Sequence, residues 1–130
     1  MKDLEKKVYK YLKDRNWHNL RPTDLAKSIM IEGAELLELF QWENLSLEEV
    51  KKNKPKLEEI KKELADVILY CLEMSVLLGL DTEKIVHKKL THAAKKYPAR
   101  LMRGGKSGPG TDADGHYWRI KKEYRQNKKK

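Results

Sequence analysis

The chain has 130 residues, 38% charged and 39% hydrophobic, with one cysteine, Cys71. A chain of this size suits one domain with a modest core, which oligomerisation would help. The lone cysteine excludes an internal disulfide. With no leader-like N-terminus and no apolar run near roughly 18 residues, the expectation is a soluble cytoplasmic protein with no membrane partner.

The net charge of +9 is unevenly placed. Residues 117–130 carry seven basic residues and one acid, which leaves +3 for residues 1–116. A basic end attracts nucleic acid or another polyanion, or simply keeps a chain in solution. The solubilising reading is preferred, and nucleic acid is an unfavoured partner.

Residues 2–14 read as an amphipathic helix, with Leu4, Val8, Tyr11 and Leu12 on one side. The polar stretch from Asp14 to Asn19 breaks that pattern. Arg21-Pro22-Thr23-Asp24 then starts a second helix, expected to run to about Glu43 with Leu25, Ile29, Leu36, Leu39 and Phe40 inward. Ser46-Leu47-Glu48-Glu49 is a capping-box pattern and predicts a short helix. From Pro55 to Leu78 lies the longest periodic segment, with Leu57, Ile60, Leu64, Val67, Ile68, Cys71, Leu72 and Val76 at helical spacing. Gly79 is a natural stop, and Asp81 a natural cap for a helix over 82–96 that carries Ile85, Val86 and Leu90. Tyr97-Pro98 ends it.

No alternating strand pattern and no repeat is visible. The prediction is an all-α antiparallel bundle of four to five helices, the fifth a short one within the basic tail of residues 117–130. Residues 99–116 have the glycine and proline content of a loop. Gly105-Lys106-Ser107 does not make a nucleotide-binding P-loop, because Arg100 stands where the first glycine belongs and no strand precedes it.

Two acidic pairs stand out inside the long helices. Glu32 and Glu35 are three residues apart, as are Glu63 and Asp66, so each pair shares one face a turn apart. Both faces are rich in aliphatic residues. Carboxylates brought within about 5 Å repel by roughly 3 kcal/mol per pair at an effective dielectric near 20. A divalent cation between them removes that repulsion, and hard oxygen ligands suit Mg²⁺ best, with Mn²⁺ and Ca²⁺ as relatives. The bland alternative for either pair alone is a solvated helix face.

The combination of Ile31-Glu32-Gly33-Ala34-Glu35 with Glu63-Leu64-Ala65-Asp66 resembles the E-E-x-x-E and E-x-x-D motifs of the MazG-like all-α nucleoside triphosphate pyrophosphohydrolases. Ile31 replaces the first acid of the first motif, and the second motif matches in full. Leu39-Phe40-Gln41-Trp42 is similar to the dCTP pyrophosphatase branch of that family. The resemblance covers roughly residues 16 to 98 and makes residues 1–98 the expected MazG-like domain.

What the resemblance implies is a Mg²⁺-dependent enzyme that cuts a nucleoside triphosphate between its α and β phosphates, releasing a nucleoside monophosphate and pyrophosphate, as in nucleotide-pool house-cleaning. It places the metal on Glu32, Glu35, Glu63 and Asp66. Glu35 and Glu38 become candidates for activating or orienting water, with an ordinary surface acid as the alternative for Glu38. Lys89 and Tyr97 match two positions of a Lys-Asn-Tyr ladder that ends in Tyr-Pro, while Ala93 stands where the Asn belongs. Lys89 is therefore either a phosphate ligand or a solvated lysine. Trp17 and Tyr70 match base-pocket positions, with core packing as the alternative, and His18 lies beside Trp17 as a candidate for contacting the base. The implied assembly is a homodimer or homotetramer. Two other classes stay open: a non-catalytic nucleotide-binding protein, and a nucleic-acid-binding helical module acting through the tail.

Overall fold

The computed structural model describes residues 1–103 and 115–129. Among these there are seven helices and no strands: α1 (Lys2–Asp14), α2 (Pro22–Glu38), α3 (Leu47–Lys52), α4 (Lys54–Leu77), α5 (Thr82–Lys96), α6 (Ala99–Met102) and α7 (His116–Asn127). Five are long and two are short, so the all-α architecture is as the periodicity predicts and the helix count is higher. The one with no counterpart among the expected segments is α6, which occupies the start of the stretch expected to be loop. The glycines from Gly104 to Gly110 lie outside the described residues.

The chain divides into two compact units, Met1–Thr82 and Glu83–Lys130. In the first, α4 is the central helix: α2 packs along it most extensively, then α1, then α3. Ser28 of α2 neighbours Tyr70 of α4, Glu35 neighbours Glu63, and Glu43 lies 2.6 Å from Lys56. As residue numbers rise on one side they fall on the other, so α2 and α4 run antiparallel. The same holds for α1, whose Glu5 near the start accepts a hydrogen bond from the Thr82 amide beyond the end of α4.

Val8 and Leu12 of α1 and Leu72 of α4 form the buried core, with Val76 and Leu77 packed against it and Leu25 of α2 also buried. The chain turns behind α4 at Gly79, whose φ of +66° lies in the left-handed region that glycine enters without a Cβ clash. The capping box forms as its sequence predicts. Ser46 Oγ accepts from the Glu49 amide at 3.2 Å, and the Glu49 carboxylate accepts from the Ser46 amide at 2.7 Å. These bonds hold the Glu49 carboxyl below its ordinary range.

Two expectations are corrected. First, α2 ends at Glu38 and not near Glu43. The Leu39, Phe40 and Gln41 amides bond three residues back, to Leu36, Leu37 and Glu38, which tightens the chain out of the α-helix. Lys56 then draws the turn toward α4, through Glu43 and over the Phe40 ring. Second, several expected core residues face outward in the single chain. Leu64 and Ile68 are 44% and 49% exposed, Cys71 is exposed, and Ile85, Val86 and Leu90 are 45%, 58% and 63% exposed. Apolar residues encircle more of α4 and α5 than one chain's neighbours can cover.

The second unit is built on aromatic and cationic contacts. Tyr97 stacks on Tyr117 at 4.8 Å, and His92 meets the edge of Tyr124 at 5.7 Å. Lys96 lies 4.2 Å from the centre of the Tyr124 ring, and Lys121 sits over both Tyr117 and Trp118. The aromatics interleaved in the basic tail are thus engaged within their own unit.

Candidate metal centre and cleft

Antiparallel packing of α2 against α4 sets the two acidic pairs face to face. One carboxylate oxygen each from Glu32, Glu63 and Asp66 lie within 4.8 Å of one another. The fourth expected ligand, Glu35, adjoins this trio closely enough for its carboxylate to act on both Glu32 and Glu63. Acids so close repel one another, which a cation between them would relieve. Glu38 is further along α2, outside the trio, but close enough for its charge to act on Glu63.

The electrostatics carry the strain of this arrangement. Partial desolvation, then the charges of Glu35 and Asp66, push the Glu32 and Glu63 carboxyls above their ordinary range. Glu63 Oε2 is buried and has no hydrogen-bond partner among the described residues. An orphaned, buried carboxylate oxygen facing two other carboxylates is the donor set of a hard divalent cation. Oxygens on opposite sides of Mg²⁺, each about 2.1 Å from it, lie about 4.2 Å apart, close to the span found here. The residues present therefore fit a Mg²⁺ or Mn²⁺ ion.

A cleft of about 460 Å³ opens beside the carboxylates. Glu32 and Asp66 line one part of it, Tyr11 and Trp17 another, with Leu20, Asp24, Leu25, Ser28, Leu69, Tyr70 and Glu73 completing the wall. Tyr11 and Trp17 meet edge to face at 6.0 Å. The Trp17 amide bonds to the Leu12 carbonyl at 2.8 Å, which folds the segment after α1 back toward this ring pair. The Tyr70 hydroxyl lies beside Ser28, and its ionisation is pushed up by burial and then by the charges of Glu73 and Glu32.

Of the expected base-pocket residues, Trp17 and Tyr70 line the cleft. His18 does not: it is exposed and is not among the residues that line the cleft. Lys89 and Tyr97 belong to the second unit, where Lys89 is exposed and Tyr97 is half-buried against Tyr117. The sequence reading missed Asp24, Ser28 and Glu73. The signal for Glu73 was present, since Asp66, Tyr70 and Glu73 recur at helical spacing and place an acid within an apolar stripe.

Fold and site together define a class: an all-α protein whose facing helices gather carboxylates beside an aromatic cleft. The MazG-like family model matches residues 27–104. A crystal structure of a pyrophosphatase from Archaeoglobus fulgidus DSM 4304 superposes with a TM-score of 0.65 and 35% identity, covering 75% of this chain and 92% of that one. The dCTP pyrophosphatase 1 of Rattus norvegicus is 26% identical over 106 residues, 80% of this chain and 62% of that protein. That of Homo sapiens is 26% identical over 105 residues, 79% and 62% of the two chains. The chain belongs to the MazG-like family. It spans somewhat under two thirds of the length of these mammalian relatives.

Proposed function

We propose that this chain is a nucleotide pyrophosphohydrolase that converts a nucleoside triphosphate and water to the monophosphate and pyrophosphate, in the manner of nucleotide-pool house-cleaning. The observation that carries the reading is the convergence of Glu32, Glu63 and Asp66 oxygens, with Glu32 and Asp66 also lining an aromatic cleft. Family membership and the relatives named as pyrophosphatases support it.

In this reading Glu32, Glu35, Glu63 and Asp66 hold Mg²⁺, with Mn²⁺ as the substitute. The cation, when bound, neutralises phosphate charge and lowers the barrier to attack at the α-phosphorus. Glu35 and Glu38 hold and orient the attacking water from α2 and accept its proton. Trp17 and Tyr70 hold the base by apolar and stacking contact. A phosphate role for Lys89 and Tyr97 and a base contact for His18 are what the family resemblance implies, and alanine substitution at each tests them. No nucleophilic side chain is required.

We further assign the active species as a homodimer or homotetramer. Met30, Ile31 and Leu37 of α2 are 72%, 58% and 68% exposed, and Leu64 and Ile68 of α4 add to the uncovered apolar surface. A chain with so small a buried core gains from covering it. Among the described residues, no helix is long and apolar enough to cross a membrane.

The deciding experiment is pyrophosphate release from a panel of nucleoside triphosphates, with Mg²⁺ and with chelator. Release that depends on the cation supports the assignment. Nucleotide binding without release identifies a non-catalytic binder. Salt-sensitive nucleic-acid binding with neither result supports the tail-driven alternative.

A further inference from the structure

Glu73 is unused by the chemistry above. It lies on α4 three residues after Tyr70 and seven after Asp66. Seven residues of helix advance about 10 Å, the scale on which a nucleotide's base edge lies beyond its sugar from the α-phosphate. The residue is only 5% exposed, yet it lines the cleft. Its carboxyl is pushed up by burial, and its oxygens are not among the wholly buried, unpartnered atoms, so they reach the space of the cleft that the residue lines. Burying a carboxyl without a partner is unfavourable unless something supplies one.

The cleft wall narrows the choice of partner. Among the described residues, its lining contains no lysine or arginine. The acids Asp24 and Glu73 share it with Tyr11, Trp17 and Tyr70, so this part of the cleft repels phosphate and accepts an uncharged ring. Phosphates are thereby directed to the carboxylate cluster, where a cation neutralises them. Whether protonated or not, a carboxyl presents an acceptor oxygen. A base bearing an amino group on its pairing edge donates to that oxygen. With the carboxyl ionised and so acceptor-only, a base with a carbonyl in the same place sets two acceptors against each other.

Resting on the nucleotide reading above, we propose that Glu73 is a specificity-determining residue that accepts a hydrogen bond from the exocyclic amino group of the substrate base. It selects amino over oxo at that position, so cytosine is favoured over uracil and adenine over hypoxanthine. Each comparison holds ring size nearly constant, so apolar fit and stacking cancel within a pair.

The test measures kcat/KM for dCTP, dUTP, dATP and dITP in the wild type, Glu73→Gln and Glu73→Leu, with circular dichroism to verify the fold. The wild type is expected to favour the amino member of at least one pair by about tenfold or more. In Glu73→Gln the amide can turn its NH₂ toward a carbonyl, so the ratio falls by about tenfold. In Glu73→Leu it approaches unity. A wild type without the preference, or folded variants that keep the wild-type ratio, would overturn the role of Glu73 and leave the hydrolase reading standing. A wild type that hydrolyses none of the four, nor any other triphosphate with Mg²⁺ or Mn²⁺, fails the hydrolase reading itself and takes this inference with it.

Discussion

Glu63 bears much of what the site costs the fold. Its Oε2 is buried without a partner, and Glu35, Asp66 and Glu38 all add negative charge around it. Glu35→Gln and Asp66→Asn each remove one charge at nearly constant volume. Both are expected to abolish cation-dependent pyrophosphate release while leaving the helical spectrum unchanged and raising the melting temperature of the metal-free protein. Full activity in both would end the metal assignment. A pH dependence follows from the same repulsion. Glu32 and Glu63 titrate above their ordinary value of 4.5 in the folded protein, so the native state holds their protons more tightly than the unfolded chain does. Their contribution to stability is therefore present below the ordinary carboxylate range and is lost as pH rises through the raised values. Thermal melts of metal-free protein between about pH 4 and 7 should show a shallower decline in Glu63→Gln than in the wild type. Saturating Mg²⁺ should raise the wild-type melting temperature at neutral pH, because it binds the folded state.

At the scale of the element, α4 serves both the core and the site. Its Leu72 packs with Val8 and Leu12 of α1, while Glu63 and Asp66 face α2. Leu12 is fully buried, so Leu12→Ala is expected to cost about 2–5 kcal/mol in urea unfolding. That change should loosen the α1–α4 contact and, with it, the Tyr11 and Trp17 wall. Ser46→Ala tests the lead-in to α4 through α3. It removes the acceptor for the Glu49 amide and is expected to cost about 1 kcal/mol in the same assay. A null effect would mean that α3 is held by its contacts with α4 and not by its cap.

For the whole molecule, the uncovered apolar surface sets the prediction. Light scattering is expected to give the mass of two or four chains. Ile68→Glu, placed among Leu64 and Cys71 on the exposed side of α4, should shift the protein toward the single chain. A wild type that runs as one chain at assay concentration would remove the oligomer from the proposal. The amount of this molecule readable from its residues follows from the range of the interactions involved. Helical periodicity, the Ser46 capping box, the stop at Gly79 and the acidic spacings of Glu32–Glu35 and Glu63–Asp66 all arise within a few residues, so the sequence by itself determined an all-α chain with two acidic faces. The early end of α2 escaped that reading because it involves Lys56, thirteen residues beyond Glu43. Exposure of Cys71 and Leu64 escaped it because periodicity marks an apolar face without saying which neighbour covers it. The register of α2 on α4, which sets Glu32 opposite Asp66, brings Glu73 into the cleft and leaves His18 outside it, was decided only in the tertiary structure, where side chains distant in sequence compete for the same space.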